Sequence, residues 1–518
     1  MKKSIIFLIS TVSLFLQIPF ALADYVRPGS ECPAVDNASF CYRGGEFKFV
    51  GINLQAIAHL DKIWKDENPA AEKIIDEWKE QLTAARNMGV SVIRIFAPHK
   101  DKPPQEAKAS VLNFMNTASQ IYGGQEIKFI INLTDFYNNP NGATTEQDDA
   151  YEEGLLRPSW FITGGAQPNY EVNYKNFLKD FITHPLTVDT RIFAWQLGNE
   201  IQAGRGDQNT GVRERMLQFA YTMGRYIKNT LGARQMVTTG FIGANHAVAG
   251  DHAGWIDNSV CQIYHYWEPG KTSCNTVSDS KNSPFDFVYI HGYNNEWSDP
   301  PCSNCAFPHQ WQEVDINWAN EKGRPYVIGE FAFNGAYTGS HCNDGSFPGG
   351  TWGNIELPEA GNNRARKPDG GDGVTAIAMN HFFNALSADG ILHWGFMASL
   401  PEYQHTWNDN KLGDGCSGMD SGLFYKDWPE MEALFHFWSA QLPKGGNIEI
   451  TGTVNVPASG TTVQTNKVDN DPQTKDFTLN DANIPEGGGT IEYLAEGEAE
   501  IIGESTIEGS TVIGTVGN

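Results

Sequence analysis

Residues 191–200 read Arg-Ile-Phe-Ala-Trp-Gln-Leu-Gly-Asn-Glu, an apolar strand-like run that closes on two polar residues, Asn199 and Glu200. Seven further short runs of β-branched and aromatic residues occur between about residues 45 and 440, and helix-like stretches separate most of them. The eight predicted strands are Phe47–Leu54, Val90–Ala97, Ile127–Asp135, Arg191–Glu200, Gln235–Phe241, Asp286–Tyr293, Tyr326–Ala332 and Ile391–Met397.

Eight strands that alternate with helices predict an α/β protein built as a (β/α)8 TIM barrel with long loops. The alternative is an open, doubly wound sheet. That fold normally carries a glycine-rich phosphate loop after its first strand, and residues 51–56, Gly-Ile-Asn-Leu-Gln-Ala, do not form one. The predicted helices are Glu72–Met88, Tyr170–Thr183, Val212–Leu231, Trp311–Lys322, Val374–Ala388 and, after the last strand, Pro429–Leu442.

The amino terminus has the pattern of a bacterial signal peptide. Lys2 and Lys3 precede an apolar stretch, Ile5–Phe20, and Ala21-Leu-Ala23 is a small-residue cleavage site. The stretch is short and no second one follows, so we expect a secreted protein, extracellular or periplasmic, without a membrane anchor.

The net charge of the chain limits the classes of molecule that it is expected to bind. The chain has 37 Lys and Arg against 62 Asp and Glu, a formal charge of −25. Such a surface repels phosphate backbones, so nucleic acid is not an expected partner. A neutral polymer is not repelled, and the 14 Trp and 18 Tyr residues could supply stacking surfaces for one.

The composition changes after about Gly445. All Trp residues lie between Trp64 and Trp438, whereas residues 446–518 contain 12 acidic residues, 2 basic residues and only Phe477 and Tyr493 as aromatics. Alternating apolar residues there are strand-like. We therefore expect three parts: a signal peptide (1–23), a barrel domain (24–445) and an acidic extension (446–518) that is either a small β-rich module or loosely ordered.

Export makes disulfides the expected state of the eight cysteines. Short loops favour Cys32–Cys41, Cys261–Cys274 and Cys302–Cys305, which leaves Cys342–Cys416. Half a zinc site at Cys302-Ser-Asn-Cys305 is the alternative, but the chain has no second C-x-x-C and no H-x-x-H to complete it.

Two glutamates stand where a barrel places its chemistry, at the carboxyl ends of strands. Glu200 closes the fourth run, and Glu330 occupies an equivalent height in the seventh, Tyr326-Val-Ile-Gly-Glu-Phe331. One glutamate at a strand end is more often a cap or a solvent-facing group. Two of them on separate strands indicate a pair, and paired carboxylates suit glycosidic cleavage, because one donates a proton while the other attacks the anomeric carbon.

Other strands add candidates to the same end. His291 and Tyr293 are two residues apart on the sixth run and so share a face. Arg94 is a cation inside an apolar strand and needs a carboxylate partner. Trp394, on the eighth run, is either core or a floor on which a sugar stacks.

Together these motifs resemble glycoside hydrolase family 5, a family of retaining (β/α)8 glycosidases, over about residues 45–440. The stretch Tyr174–Lys179 and residues 190–200 are more similar to the endo-β-1,4-mannanases of that family than to its cellulases, and Asn132–Tyr137 resembles their substrate loop. Ile201 departs from the family, many members of which have Pro there. The matching motifs are Arg94, Asn199-Glu200, His291-x-Tyr293, Gly329-Glu330-Phe331 and Trp394.

The resemblance implies a hydrolase that cleaves β-1,4-mannosidic bonds in mannan, glucomannan or galactomannan by double displacement. Glu330 is then the nucleophile and Glu200 the acid/base, with their carboxyl groups about 5–5.5 Å apart. A plant cell-wall polysaccharide of the mannan type is the implied partner of a monomeric enzyme that needs no cofactor and no metal.

The same resemblance assigns the supporting residues. Asn199 would bind the 2-hydroxyl of the sugar, Tyr293 would hold Glu330, and Arg94 would keep that carboxylate ionised. His291 would bond within this network, and Trp394 would line the sugar site.

Two other functions remain open at this level. One is an endo-β-1,4-glucanase of the same family. The other is a non-catalytic polysaccharide-binding protein, which has no need of both Glu200 and Glu330. A calcium site at Asn408, Asp409, Asn410 and Asp414 is an alternative to a solvated loop there.

Overall fold

The computed structural model describes twelve longer stretches of the chain and several short ones. The predicted signal peptide, Cys274, Cys302, Cys305, Cys342, Cys416, Tyr293 and residues 408–414 lie outside them. The described residues are 25–32, 35–54, 71–97, 103–123, 126–134, 156, 170–201, 210–244, 256–267, 269, 283–292, 310–331, 379, 381–394, 396–397, 423–424, 429–445 and the short strands given below for 449–516.

The chain begins with a small antiparallel sheet that closes one end of the molecule. It consists of β1 (Arg27–Pro28), β2 (Phe40–Tyr42) and β3 (Gly45–Phe47), with a 3-10 turn at Gly29–Glu31. The ring of Phe40 packs edge-on against Phe193 at 4.9 Å and Phe287 at 5.2 Å, at the amino ends of barrel strands. These apolar contacts close the amino-terminal end of the barrel, and the carboxyl-terminal end is left as the place where a polar site is expected.

Eight parallel strands form the barrel, and all eight predictions are confirmed. They are β4 (Phe49–Leu54), β5 (Val92–Phe96), β6 (Lys128–Asn132), β7 (Ile192–Gln196), β8 (Met236–Thr238), β9 (Val288–His291), β10 (Tyr326–Phe331) and β11 (Gly390–His393). Their order is β8-β7-β6-β5-β4-β11-β10-β9. The first barrel strand, β4, pairs with both β5 and the last strand, β11, so the open doubly wound alternative is wrong.

The barrel closes between β8 and β9, where the described residues form no regular ladder. Individual hydrogen bonds replace it: Asp286 N–H donates to the Val237 carbonyl over 3.0 Å, and the Thr238 hydroxyl donates to the Phe287 carbonyl over 3.2 Å. Each barrel strand is buried along its length. This burial explains why the strands read as continuous apolar runs rather than as alternating ones.

Helices cover the outside of the barrel. They are α1 (Ala71–Asn87), α2 (Pro104–Tyr122), α3 (Lys175–Phe181), α4 (Thr210–Arg225), α5 (Ile256–Tyr264), α6 (Gln310–Lys322) and α7 (Pro429–Gln441), with π-helical turns at Tyr170–Tyr174, Tyr226–Thr230 and His381–Ala385 and a 3-10 turn at Leu186–Val188. Two of them, α2 and α5, are absent from the sequence prediction. The signals for α2 were present, because proline opens it and Gly123 ends it in the left-handed conformation at φ 60°.

After the barrel, the described strands of the extension pair with one another. Successive strands return to the same three sheets in parallel: Thr462 pairs with Thr490, which pairs with Thr511. This is the backbone pattern of a parallel β-solenoid. The strands of the extension are β14 (Glu449–Thr451), β15 (Thr462–Thr465), β16 (Phe477–Asn480), β17 (Asn483–Ile484), β18 (Thr490–Ala495), β19 (Ala499–Ile502), β20 (Thr506–Ile507) and β21 (Thr511–Val516). Two short strands that precede the extension, β12 (Phe396–Met397) and β13 (Leu423–Phe424), pair with each other beside the barrel.

One predicted disulfide, Cys32–Cys41, is present and ties the first turn to β2. Cys261 is also disulfide-bonded, while Cys274, its predicted partner, lies outside the described residues. None of the helices among the described residues is both long and apolar enough to cross a bilayer.

Candidate active site

Just beyond β7, the main chain is hydrogen-bonded to the segments that follow the two neighbouring strands, β6 and β8. Asn199 N–H donates to the Thr134 carbonyl over 2.8 Å, and Glu200 N–H donates to the Gly240 carbonyl over 3.0 Å. Glu200 has a positive φ of 50°, a conformation that a residue with a side chain adopts only where its surroundings hold it. Its side chain is buried. The main chain therefore fixes Glu200 at the carboxyl-terminal edge of the barrel.

Glu330 is placed by an irregularity in β10. The register of β10 shifts around Gly329 and Glu330 against both neighbouring strands, and Glu330 ends up level with His291 of β9. A Cβ atom at position 329 would lie 1.7 Å from the ring of Tyr289, so only glycine fits there. This glycine lets the Tyr289 ring pack against the backbone next to Glu330.

His291 joins the two glutamates. Its Nδ1 atom lies 2.6 Å from Oε1 of Glu200 and 3.3 Å from Oε2 of Glu330. The ligand-type atoms of the three side chains lie within 4.8 Å of one another. At least one oxygen of each glutamate therefore lies within 4.8 Å of the other, which fits the ~5–5.5 Å between carboxyl groups of retaining glycosidases better than the ~6.5–9.5 Å that inverting enzymes need for a water.

Arg94 holds the other side of Glu330. The guanidinium is fully buried. Its Nη1 atom donates to Glu330 Oε1 over 2.6 Å and to Asn53 Oδ1 over 2.8 Å, Nη2 donates to Asn199 Oδ1 over 2.7 Å, and Nε donates to Gln196 Oε1 over 2.5 Å. A buried cation is stable only when it is paired in this way.

Asn53 and Gln196 were missed by sequence reasoning. Asn53 accepts from Arg94 and donates through Nδ2 to the Gly329 carbonyl over 2.9 Å and to the Leu392 and His393 carbonyls over 3.3 Å. Both are polar residues inside apolar strands. A buried polar group needs a partner, so both residues are candidates from the sequence on the same ground as Arg94.

Burial sets the protonation of the cluster. Burial lowers the pKa of His291 to about 3, against a smaller opposing effect of Glu330, so the imidazole is neutral at neutral pH. Burial raises the pKa of Glu330, and the nearby Glu200 adds to the rise, while His291 and Arg94 oppose it. The Arg94 guanidinium is thus the cation that favours the ionised form of Glu330.

Two predicted site residues, Trp394 and Tyr293, are not part of this hydrogen-bonded cluster as the structure describes it. Trp394 is half-buried at the same end of the barrel. Its ring meets Phe96 edge-on at 6.2 Å, and Phe96 in turn lies 4.7 Å below the Arg94 guanidinium. Tyr293 lies outside the described residues. The structure therefore brings Arg94, Asn199, Glu200, His291 and Glu330 into one hydrogen-bonded network, with Trp394 at its border.

The same cluster has the composition of a metal site, because Glu200, His291 and Glu330 offer three ligand atoms. Two contacts disfavour that use. The Arg94 guanidinium already pairs with Glu330 at 2.6 Å, and His291 Nδ1 already bonds Glu200 at 2.6 Å. A divalent cation would have to displace the second contact and sit beside the first cation.

Two buried glutamates thus lie close together at the carboxyl-terminal edge of a (β/α)8 barrel, the edge at which enzymes of this fold carry their active sites. Solved structures with a similar fold include a glycoside hydrolase family 5 mannosidase from Rhizomucor miehei, with 14% identity over 80% of this chain and 97% of that chain and a TM-score of 0.50. An endo-1,4-beta-D-mannanase from Thermotoga petrophila is similar at 16% identity, over 76% of this chain and 99% of that chain, with a TM-score of 0.46.

The first of these likenesses, at a TM-score of 0.50, shows that the chain shares the (β/α)8 fold of that enzyme, as the sequence predicted. No protein-family model matches the sequence, and no curated protein matches it either.

Proposed function

We propose that this protein is a secreted retaining glycoside hydrolase that cleaves β-1,4-mannosidic bonds in mannan, glucomannan or galactomannan. The observation that carries the proposal is the shared contact of Glu200 and Glu330 with His291 Nδ1, at 2.6 and 3.3 Å, in a buried cluster where only Glu330 is paired with Arg94. Two carboxylates in unlike environments are what double displacement requires.

The unlike environments suggest the roles. Glu330 faces a permanent cation, which favours the ionised form that a nucleophile needs. Glu200 faces a neutral imidazole at 2.6 Å. That contact can hold a proton on Glu200, which then donates to Nδ1, or on Nδ1, which then donates to the Glu200 carboxylate. Glu200 is therefore supported in both of the states that an acid/base passes through.

The reaction then has two steps. An oxygen of Glu330 attacks the anomeric carbon while the bond to the leaving oxygen breaks, and Glu200 gives that oxygen its proton. In the second step Glu200 takes a proton from water as the water oxygen attacks the anomeric carbon, and Glu330 leaves as a carboxylate. The sugar is inverted twice, so its configuration is retained.

The remaining residues support substrate and carboxylates. Arg94 orients Asn199 through Oδ1 over 2.7 Å, and we assign to Asn199 the bond to the 2-hydroxyl of the sugar. We assign to Trp394 the surface on which a sugar ring stacks, and we assign to Tyr293 a hydrogen bond to Glu330. No cofactor or metal enters these steps.

The proposed mannan substrate and the proposed export of the protein are supported by different observations. The mannan preference rests on the similarity of residues 174–179 and 190–200 to mannanases. The solved structures named above are described as a mannosidase and an endo-1,4-beta-D-mannanase. Export rests on the predicted signal peptide, and the Cys32–Cys41 disulfide is compatible with an oxidising compartment.

The test is a substrate panel with the protein from Asp24 onward. Galactomannan, glucomannan and carboxymethylcellulose are each incubated with the protein and with a Glu330→Gln variant, and reducing ends and product lengths are measured. We expect mannan oligosaccharides from the wild type only. Preferential release from carboxymethylcellulose would identify a glucanase instead. Binding without release above the variant would identify a non-catalytic polysaccharide-binding protein.

A further inference from the structure

Residues 239–244, which follow β8, run along the edge of the barrel beside the proposed acid. The Gly240 carbonyl accepts from Glu200 N–H over 3.0 Å, and the Ile242 carbonyl accepts from His291 N–H over 2.8 Å. One short backbone stretch therefore holds the main chains of the two residues whose side chains meet at 2.6 Å.

Side chains from two outer helices hold this stretch at its ends. At the near end, the Thr239 hydroxyl bonds the hydroxyl of Tyr264, on α5, at 3.0 Å. At the far end, Ala244 N–H donates to Oδ2 of Asp315, on α6, over 2.6 Å. Asp315 is fully buried. A shift of α6 or a loss of this bond would be passed along residues 239–244 toward Glu200 and His291.

A carboxylate is a costly group for this position. Within the described residues Asp315 has no basic partner, and its Oδ1 atom accepts no hydrogen bond. Burial raises the pKa of Asp315 to about 7, which reflects that cost. A neutral acceptor would satisfy Ala244 N–H with less desolvation, but a bond to an ionised oxygen is shorter and stronger. An acid at position 315 thus holds Ala244 N–H more tightly than a neutral acceptor would, at a cost in the stability of the fold.

We propose that Asp315 is a positioning residue: by anchoring Ala244 it fixes residues 239–244, and through the Gly240 and Ile242 carbonyls it sets the placement of Glu200 against His291. This inference rests on the proposed function, in which Glu200 is the acid/base. A misplaced acid slows the departure of a poor leaving group, such as a sugar hydroxyl. It has little effect on a good leaving group, such as a dinitrophenolate, which needs no proton.

The kinetic test compares these two leaving groups. For Asp315→Leu we expect kcat/KM on mannan to fall at least about tenfold further than kcat/KM on a dinitrophenyl β-mannobioside. Asp315→Asn retains an acceptor oxygen for Ala244 and should recover most of the loss on mannan. The matched control is Asp389→Leu, because Asp389 is also a buried acid that accepts from a backbone N–H, that of Tyr326 at the amino end of β10.

A merely structural role predicts the same result for both leucine variants. Equal losses on the two substrates in Asp315→Leu, as in Asp389→Leu, would overturn the positioning role while leaving the proposed function intact. A wild type that hydrolyses neither substrate would instead overturn the proposed function.

Amide hydrogen exchange of the wild-type protein tests the anchor without a variant and without activity. We expect the amides of Ala244, Glu200 and His291 to exchange with similar protection, as one cooperative unit. Exchange of the Ala244 amide at the rate of an unprotected loop, with Glu200 and His291 still protected, would overturn the proposal even if no leucine variant folds.

Discussion

Arg94 and Glu330 form a buried ion pair in which Nη1 lies 2.6 Å from Oε1, and neither side chain is more than 3% exposed. The same guanidinium also donates to Asn53, Asn199 and Gln196. One cation thus connects the proposed nucleophile to three strands besides its own, and the geometry of the site depends on a residue that need not touch the substrate.

Replacement of this guanidinium should damage both activity and stability. An ammonium on a flexible stem cannot reproduce the fork geometry of four directed bonds, so Arg94→Lys leaves buried acceptors unsatisfied. We expect kcat on mannan to fall at least about 100-fold. The free energy of unfolding in urea should fall by about 3–5 kcal/mol, the usual cost of breaking a buried pair.

Arg191→Lys is the matched control for Arg94→Lys. Arg191 precedes the amino end of β7 and pairs with Asp189 at 2.7 Å in a partly exposed position. We expect that variant to keep full activity and to lose about 1 kcal/mol or less. Similar losses of kcat in both variants would contradict the role of Arg94 in the site.

The roles of the two glutamates can be separated by azide rescue. Without the nucleophile, azide attacks from the vacated side, so Glu330→Ala should give an α-glycosyl azide with inverted configuration. Without the acid/base, the glycosyl enzyme still forms from good leaving groups, so Glu200→Ala should give a β-glycosyl azide with retained configuration. Product configuration is read by NMR, and the opposite pairing of outcomes would reverse the assignment.

Asp389, at the other end of the barrel, should make stability depend on pH. Burial raises its pKa from 3.8 to about 7, although Lys48 opposes the rise. The folded state then binds a proton that the unfolded state has released, so stability falls as the pH rises from about 4 to about 7. Asp389→Asn removes this dependence.

Urea unfolding of both proteins at pH 5 and pH 8 measures the effect. We expect the wild type to lose up to about 3 kcal/mol more than Asp389→Asn between the two values, at about 1.4 kcal/mol per pH unit. Asp315 and the buried histidines titrate in both proteins, so the difference isolates Asp389. Equal losses would mean that Asp389 is already ionised in the folded protein at pH 5.

The extension beyond the barrel should be dispensable for catalysis. Its described strands pair with one another. Among the described residues, the last backbone bond from this region to the barrel domain is that of Gly445 N–H to the carbonyl of Glu46, in β3 of the small amino-terminal sheet, over 2.8 Å. We expect truncation after Gly445 to leave activity on soluble mannan unchanged and to lower Tm by less than about 8 °C, at roughly 2–4 °C per kcal/mol.

A shorter form gives the control for that truncation. Truncation after Leu442 also removes the bond of Lys48 N–H to the Pro443 carbonyl, at 2.8 Å, and the bridge between Phe47 and Lys444. We expect its Tm to fall clearly below that of the Gly445 form. A large fall in the Gly445 form itself would show that the extension packs on the barrel as part of the fold.

Sequence reasoning reached the eight strands and most helices, because their signals are local: short apolar runs, helical periodicity and turn residues. It missed α5, a short helix, and α2, although proline and glycine mark the ends of α2. It also left the extension open between a β-rich module and a loosely ordered segment, because alternation alone does not specify which strands pair.

The amino-acid sequence alone determined the barrel, the end of it at which the candidate site lies, and the identity of Arg94, Glu200 and Glu330 as candidates. Only the tertiary structure decided the network. Arg94 meets Asn53 across 41 residues of chain and Glu330 across 236, and Ala244 meets Asp315 across 71. Such pairings depend on the register of the strands, the bulge at Gly329 and the docking of α6. No local pattern encodes these features, because each arises only when distant segments pack together and exclude water.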